Sequence, residues 1–378
     1  MNLLKSAIQY ELDTFYSHLL NRDLPQQEVT QSAFTQARKK LKFEAFVELN
    51  DQAVQTFYAE APIKRWHGYR LLGVDGSTLR LPDTPEIRET FDAREGEVPL
   101  ARLSELYDVC NNVMLGAELS ALEIGEGFHA ELLLPRTTVG DVVLYDRGYP
   151  SFYLLSLHGK RGIDYCMRTP IGRFKAVAEF VAGGALEQWV DIEPGHKAKQ
   201  DCLRNELPTD PIRVRLIRVE LPGGDVEVLM SSLGDEIPHT EFAALYFQRW
   251  GIEEAYKHQK CRAELENFSG KTVHSVYQDI YAKLLTINLV AICAFSAEEQ
   301  AQKAVSHRKY EYRINRTKAL SKARYHLVCA VLNSHDKLNR LIGWITSDIE
   351  AVRPGRKFNR DNPGKKKLGF HSAYKRTA

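Results

Sequence analysis

Residues 142–145 read Val-Val-Leu-Tyr and run directly into an acid, Asp146. A short unbroken apolar run is the pattern of a strand buried on both faces, at the centre of a sheet rather than at its solvated edge. Other β-type stretches surround it. YRLLGVDGSTLRLP from Tyr69 predicts two short strands around Asp75-Gly76, and YDVCNNVMLGAEL (107–119) and IDYCMRT (163–169) are further candidates. A helix is expected after Pro150. Strands followed by a strand, helix, strand alternation argue for a mixed α/β sheet.

Both ends of the chain carry helical spacing instead. Residues 1 to about 60 predict helices broken once, at NRDLPQQ, with Ala33, Ala37 and Leu41, then Phe43, Phe46 and Val47, on apolar faces. Ser32 is the candidate cap of a short helix ending in Arg38, Lys39 and Lys40. A basic helix of this kind either enters a DNA groove or is a solvated face beside a bundle core. After Pro238 two long helices are predicted, through TEFAALYFQRWGIEEAYKHQK and KTVHSVYQDIYAKLLTINLVAICAF. Between them and the first sheet segment, residues 171–236 alternate with period two and read as a β-rich insertion. Its clearest piece is a hairpin in which Ile212, Val214 and Leu216 lead into a Pro222-Gly223-Gly224 turn and return through Val226, Val228 and Met230.

The expected organisation is a helical domain (1–66), two core segments (67–170 and 237–345) interrupted by the insertion (171–236), and a basic tail (346–378). With 44% hydrophobic and 26% charged residues over 378 positions, the composition is that of a soluble globular protein of two or three units. The longest apolar run, Leu284–Phe295, is too short to span a bilayer, and the N-terminus lacks a signal-type apolar stretch, so a cytoplasmic protein is expected. Six cysteines without a Cys-x-x-Cys pair favour neither structural zinc nor a disulfide framework. The net charge of +2 says nothing about nucleic acid, but nine Lys or Arg against one acid between Arg353 and Ala378 suggest salt-dependent DNA affinity in the tail.

The chemistry concentrates in Tyr246–Lys260. At about 100° per residue, Tyr246, Arg249, Glu253, Lys257 and Lys260 fall within roughly 80° of one another on a helix. That face holds one aromatic, three cations and a single acid. Alone, it also fits an exposed face with a Glu253–Lys257 ion pair. Asp75 alone fits a hairpin turn. Asp146 ends the buried strand, a common placement for a reacting carboxylate, and Asp108, Asp141 and Glu254 are local competitors. In combination, an acid on a first strand, an acid ending a central strand and an acid on a later helix suit two-metal phosphoryl transfer. Three gathered carboxylates repel one another unless divalent cations neutralise them, and oxygen ligands favour Mg²⁺ or Mn²⁺.

Tyr246-x2-Arg249-x3-Glu253-x6-Lys260 resembles the Tyr-Arg-Glu-Lys signature of the DDE transposases of bacterial insertion sequences, in the group named for insertion sequence four. GVDGSTLRLP around Asp75, ARLSELYDV at 101–109, LYDRGYPS around Asp146 and QDIYAKLLTINL are similar to the family's other blocks, in the same order. The resemblance implies an RNase H-like mixed-sheet core, with the 107-residue step from Asp146 to Glu253 accommodating a β insertion. It further implies that Asp75, Asp146 and Glu253 hold two Mg²⁺ or Mn²⁺ ions, and that the enzyme cuts transposon-end DNA and joins the freed 3′ hydroxyl to target DNA. Tyr246, Arg249, Lys257 and Lys260 would contact phosphates near the cut, Trp189 would stack on a flipped base, and Arg38, Lys39 and Lys40 would belong to the recognition domain. Double-stranded DNA, comprising inverted-repeat ends and target, is the implied partner, bound by a homodimer in a synaptic complex on the nucleoid. A metal-dependent nuclease without strand transfer and a domesticated DNA-binding protein are the alternatives.

Overall fold

The structure is a computed structural model that describes residues 7–221, 224–305, 310, 312–333 and 335–352. The expected tail from Arg353 and the Pro222-Gly223 turn lie outside the described residues. In chain order the elements begin with α1 (Ile8–Leu19), α2 (Gln31–Arg38), α3 (Glu44–Glu60), β1 (Arg70–Arg80), α4 (Pro85–Thr90), β2 (Leu100–Asp108) and β3 (Val113–Ala121). There follow α5 (Glu126–Leu133), β4 (Asp141–Tyr145), α6 (Phe152–Arg161), β5 (Asp164–Thr169), α7 (Lys175–Gly183), β6 (Glu187–Ile192) and α8 (His196–Arg204). The remaining helices and strands are β7 (Ile212–Glu220), β8 (Val226–Ser231), α9 (Phe242–Phe247), α10 (Trp250–Cys261), α11 (Val273–Val305), β9 (Tyr312–Ile314), α12 (Arg316–Asn333), α13 (His335–Thr346) and β10 (Ile349–Ala351). Two compact units emerge, each assembled from separated pieces of chain: residues 61–78 with 102–256, and residues 1–60 with 79–101 and the segment from 257 onward.

The first unit carries a mixed α/β arrangement around one eight-stranded sheet in the order β3-β2-β1-β4-β5-β8-β7-β6. Its middle is parallel. β1 pairs with β4 from Arg70↔Asp141 to Val74↔Tyr145, and β4 pairs with β5 up to Tyr145↔Met167. All five residues of β4 are buried, as its unbroken apolar run requires. Helix α6 returns the chain between β4 and β5, capped by the Ser151 hydroxyl, which accepts from the Leu154 N–H, and ended by Gly162 in the left-handed region at φ 66°. Residues 171–236 hold α7 and α8 as well as three strands, and β8, β7 and β6 extend this same sheet in antiparallel fashion.

Two strand expectations are corrected. Asp75-Gly76 is not a turn: β1 runs through it without a break. Gly76 instead leaves room for the end of the Glu126 side chain, whose carboxylate would stand 2.7 Å from a Cβ there. The stretch 107–119 is not one strand: it holds the end of β2, a turn at 109–112 and most of β3. The Asp108 carboxylate accepts from the Cys110 and Asn111 N–H groups, and Asn112 takes φ 63°. Asp108 is therefore a turn residue. Asp141 is also removed from contention, since it lies at the opposite end of β4 from Asp146, in a bidentate pair with Arg70 at 2.8 and 2.6 Å.

The second unit is mainly helical, with one small antiparallel pair of strands, 312–314 with 349–351. Helix α11 packs on α3, α12 and α13 around small residues, among them Ala294, Ala297, Ala301, Ala319 and Ala323, with Leu320, Leu327, Leu341 and Ile345 filling between. The apolar run Leu284–Phe295 understated this helix. Val273–Lys303 is long and apolar enough to cross a membrane by length and composition, with 56% of its apolar window buried in protein. Its buried polar groups mark it as a core helix: Asn288 donates to Asn50 at 2.7 Å, and Lys283 donates to the carbonyls of Glu264, Leu265 and Asn267. The cap of α2 is Thr30, not Ser32, which sits inside the helix. Arg38 does not project from α2 as a groove reader. It donates to Gln278 at 2.6 Å, to Ser275 O at 2.9 Å and to Asp279 at 2.9 Å, so its charge is compensated within the unit, whereas Lys39 and Lys40 are exposed.

The Arg70–Asp141 pair is 9% and 2% exposed, so removing one partner strands a buried charge. Asp141→Ala is expected to lower stability by about 3–5 kcal/mol, and Arg70→Met/Asp141→Leu to recover much of it, as measured by urea unfolding.

Candidate active site

Register places three functional groups in a row. Beyond Val74↔Tyr145 and Tyr145↔Met167, the next residues on β1, β4 and β5 are Asp75, Asp146 and Arg168. They stand together where the parallel pairing stops, Asp146 just past the end of β4 and Asp75 midway along β1, which runs on to Arg80. Each aspartate accepts from the backbone N–H that follows it, Gly76 at 2.9 Å and Arg147 at 2.7 Å. The Arg168 guanidinium reaches Asp146 at 2.8 Å and Glu227 at 2.6 Å.

Glu253 arrives on α10. The single long helix expected from 240 to 260 is broken: α9 ends at Phe247, α10 begins at Trp250, and Gln248 and Arg249 form a tight turn between them. Successive three-residue bonds from Gln248, Arg249, Gly251 and Ile252 to Leu245, Tyr246, Gln248 and Arg249 carbonyls produce that tightening. Gly251 permits the close approach that follows, since a Cβ there would lie 3.2 Å from Val109 at the end of β2. Further along α10, the buried Tyr256 places its hydroxyl 2.8 Å from the Asp75 carbonyl, fixing the helix to β1.

Arg249 sits at the centre. Its guanidinium donates to Glu253 at 2.7 Å and lies 3.5 Å from Asp75, with the Tyr246 and Trp250 rings 5.7 and 5.8 Å from its centre. The Tyr246 hydroxyl donates to Asp146 at 3.2 Å. Five expected residues, Asp75, Asp146, Tyr246, Arg249 and Glu253, are thus brought together within the sheet unit. Lys257, exposed, and Lys260, half-buried, continue along α10 into the segment assigned to the helical unit. Glu254 faces solvent. Trp189 lies on β6, four strands from β4, roughly 19 Å away at about 4.8 Å per strand. Its indole N–H donates to Asp235 at 2.9 Å.

The electrostatics separate the two aspartates. Burial pushes the Asp75 carboxyl up to about 6, against the Gly76 N–H and Arg249, which favour its charged form, and with Glu126 and Glu253 adding repulsion. Burial acts on Asp146 too, but the Arg147 N–H, Arg168 and Arg249 outweigh it and hold that carboxyl below its ordinary value. Tyr246 is raised, chiefly by burial, and therefore stays a hydroxyl donor. Burial lowers the Lys260 ammonium, with Glu266 opposing.

Arg168, Glu126, Tyr256 and Trp250 escaped sequence reading. Arg168 alone carried a usable signal, as the polar residue near the end of a third apolar strand. The others act through contacts that no local spacing encodes. The donor set is all carboxylate oxygen, with no imidazole or thiol, and Glu126 and Glu253 add repulsion at Asp75, so its chemistry fits a hard divalent cation. Among the described residues, however, no three His, Cys, Asp or Glu stand arranged as ligands, and Arg249 fills the gap between Asp75 and Glu253.

Residues 66–289, more than half of the chain, match the family described as Transposase DDE domain, and the chain belongs to that family. Among its relatives, the transposase InsG for insertion sequence element IS4 of Escherichia coli (strain K12) is 28% identical over 273 residues, covering 69% of this chain and 60% of InsG. The putative transposase InsZ of the same organism is 29% identical over 143 residues, 36% of this chain and 48% of InsZ. The matches thus span 60% and 48% of the lengths of these two relatives.

The folded chain holds the Asp75 proton more tightly than the unfolded chain does. Stability is therefore lost as pH rises from about 3.8 through about 6, and the loss is complete above that. In chelator, Asp75→Asn is expected to be more stable than the parent at pH 8, by at most about 3 kcal/mol, and no more stable at pH 4, as read by urea unfolding at both pH values.

Proposed function

We propose that the protein is a transposase that cuts the ends of its own element and joins the 3′ hydroxyl ends to target DNA, with Asp75, Asp146 and Glu253 as the catalytic carboxylates. The observation that carries this reading is the register-matched pair Asp75 and Asp146, each next after the last parallel pair of β1 with β4, joined to Glu253 through Arg249. The parallel β1-β4-β5 centre supports assignment of the sheet unit to an RNase H-like core. Family membership and the transposase relatives support the activity.

Asp75, Asp146 and Glu253 would hold two divalent cations, Mg²⁺ or Mn²⁺, which when bound supply activation of water and stabilisation of the departing 3′ oxygen. For this, Arg249 must release Asp75 or Glu253, and its fork is then available to a scissile-strand phosphate. Tyr246 positions Asp146 by its hydroxyl, and Arg168 holds the same carboxylate from the β5 side. Lys257 and Lys260 add phosphate contacts. Residues 1–66 would carry end recognition, with Lys39 and Lys40 as its exposed cations, and the segment beyond Arg353 would add sequence-independent affinity. Trp189 is the candidate base-stacking residue of 171–236. The working state is a cytoplasmic, nucleoid-bound homodimer pairing two inverted-repeat ends.

Incubation with cognate end DNA and Mg²⁺ is expected to yield cut ends and joined product. Glu253→Gln and Asp146→Asn should each abolish both products while end binding by gel shift stays within about twofold of the parent. Retained cutting by Glu253→Gln overturns the assignment, and cutting without any joined product makes the protein a nuclease.

A further inference from the structure

In the helical unit, α1, α12 and α13 enclose a cavity of about 470 Å³, within the size range of small-ligand sites. Three cations line it, Arg22, Lys337 and Arg340, together with His18, His326 and Trp344, and no acid is among its described lining residues. Arg22 is ion-paired with Glu28, and Lys337 donates to Asn21 at 3.0 Å. Arg340 is exposed and has no hydrogen bond or ion pair among the described residues. The rings form a connected series, with His18 and His326 centroids 5.2 Å apart and His326 and Trp344 5.6 Å apart. Burial first, and the neighbouring His18 second, hold His326 below its ordinary value, so it is a neutral ring at physiological pH. Trp344 is 48% exposed, with Lys322 4.7 Å over its ring.

We infer that this cavity binds one unpaired nucleotide of a DNA strand, its phosphate on Lys337 and Arg340 and its base against the Trp344 and His326 rings. Cations beside exposed aromatic rings are what sequence-tolerant single-strand binding uses, because a base offers its π-face only when it is out of a duplex. A bare anion would satisfy the cations and leave the rings without purpose. A strand is favoured over a free nucleotide because both Arg340 and Trp344 stand exposed, where neighbouring nucleotides can continue. The inference stands on the helical unit alone and does not depend on the carboxylates or on transposition.

The test is fluorescence anisotropy of the full-length protein in chelator with a labelled single-stranded 12-mer, with dAMP and inorganic phosphate as competitors and the same sequence as duplex for comparison. Trp344→Ala and Arg340→Glu are each expected to weaken single-strand binding about tenfold, with duplex binding changed less than twofold and Arg340→Lys close to the parent. dAMP should compete and phosphate at equal concentration should not. Unchanged single-strand binding in Arg340→Glu, an exposed and structurally safe position, overturns the proposal. So does equal competition by phosphate, which would make the cavity an anion site, or dAMP binding that the strand cannot displace, which would make it a free-nucleotide site. Cleavage of end DNA is scored separately, so a failure here is distinct from failure of the transposase reading.

Discussion

Parallel pairing of β1 with β4 puts two carboxylates side by side, and the charge this creates governs what surrounds it. Asp75 and Asp146 follow the last paired residues, so neither can leave the other's neighbourhood without a shift of register that would repack side chains of β4 buried on both faces. The same register brings Arg168 to the end of the next strand. A cation on one flank stabilises Asp146 in its charged form, while Asp75, further from Arg168 and closer to Glu126 and Glu253, keeps a raised affinity for its proton. The asymmetry comes from neighbours, since the two side chains are chemically identical.

Arg249 is the hinge of this arrangement. Held between two aromatic rings and nearly fully buried, it joins an acid from the sheet to an acid from a helix. The tight turn at Gln248-Arg249 lies between the helix that carries Tyr246 and the helix that carries Glu253. On the proposed reading, the guanidinium keeps three mutually repelling acids in one place until cations take over its task.

In the helical unit, several buried polar groups find partners across helices. Asn50 meets Asn288, Arg38 meets Asp279, and the Lys283 ammonium lies within reach of three backbone carbonyls. Each such group costs a few kcal/mol if left unpaired, so these pairings limit how α11 can pack on its neighbours. Beside α13, Arg340 stands exposed at the cavity that Arg22 and Lys337 also line.

Sequence alone determined the features that depend on local pattern. The apolar run before Asp146, the hairpin of β7 and β8, the helix after Pro150 and the signature spacing around Glu253 are written in consecutive residues, and period and turn chemistry read them directly. Where a residue's reason lay elsewhere in the chain, local reading gave the wrong cause. Asp75-Gly76 has the composition of a turn, yet Gly76 answers to Glu126, fifty positions on. Arg38 has the look of a DNA contact, yet its partners lie on α11 and just before it. The break at Arg249, the in-register place of Arg168, the shared sheet of residues 171–236 and the separation of Asp141 from Asp146 were decided by tertiary structure. Strand order and charge compensation arise only when distant segments meet, and no local periodicity carries that information.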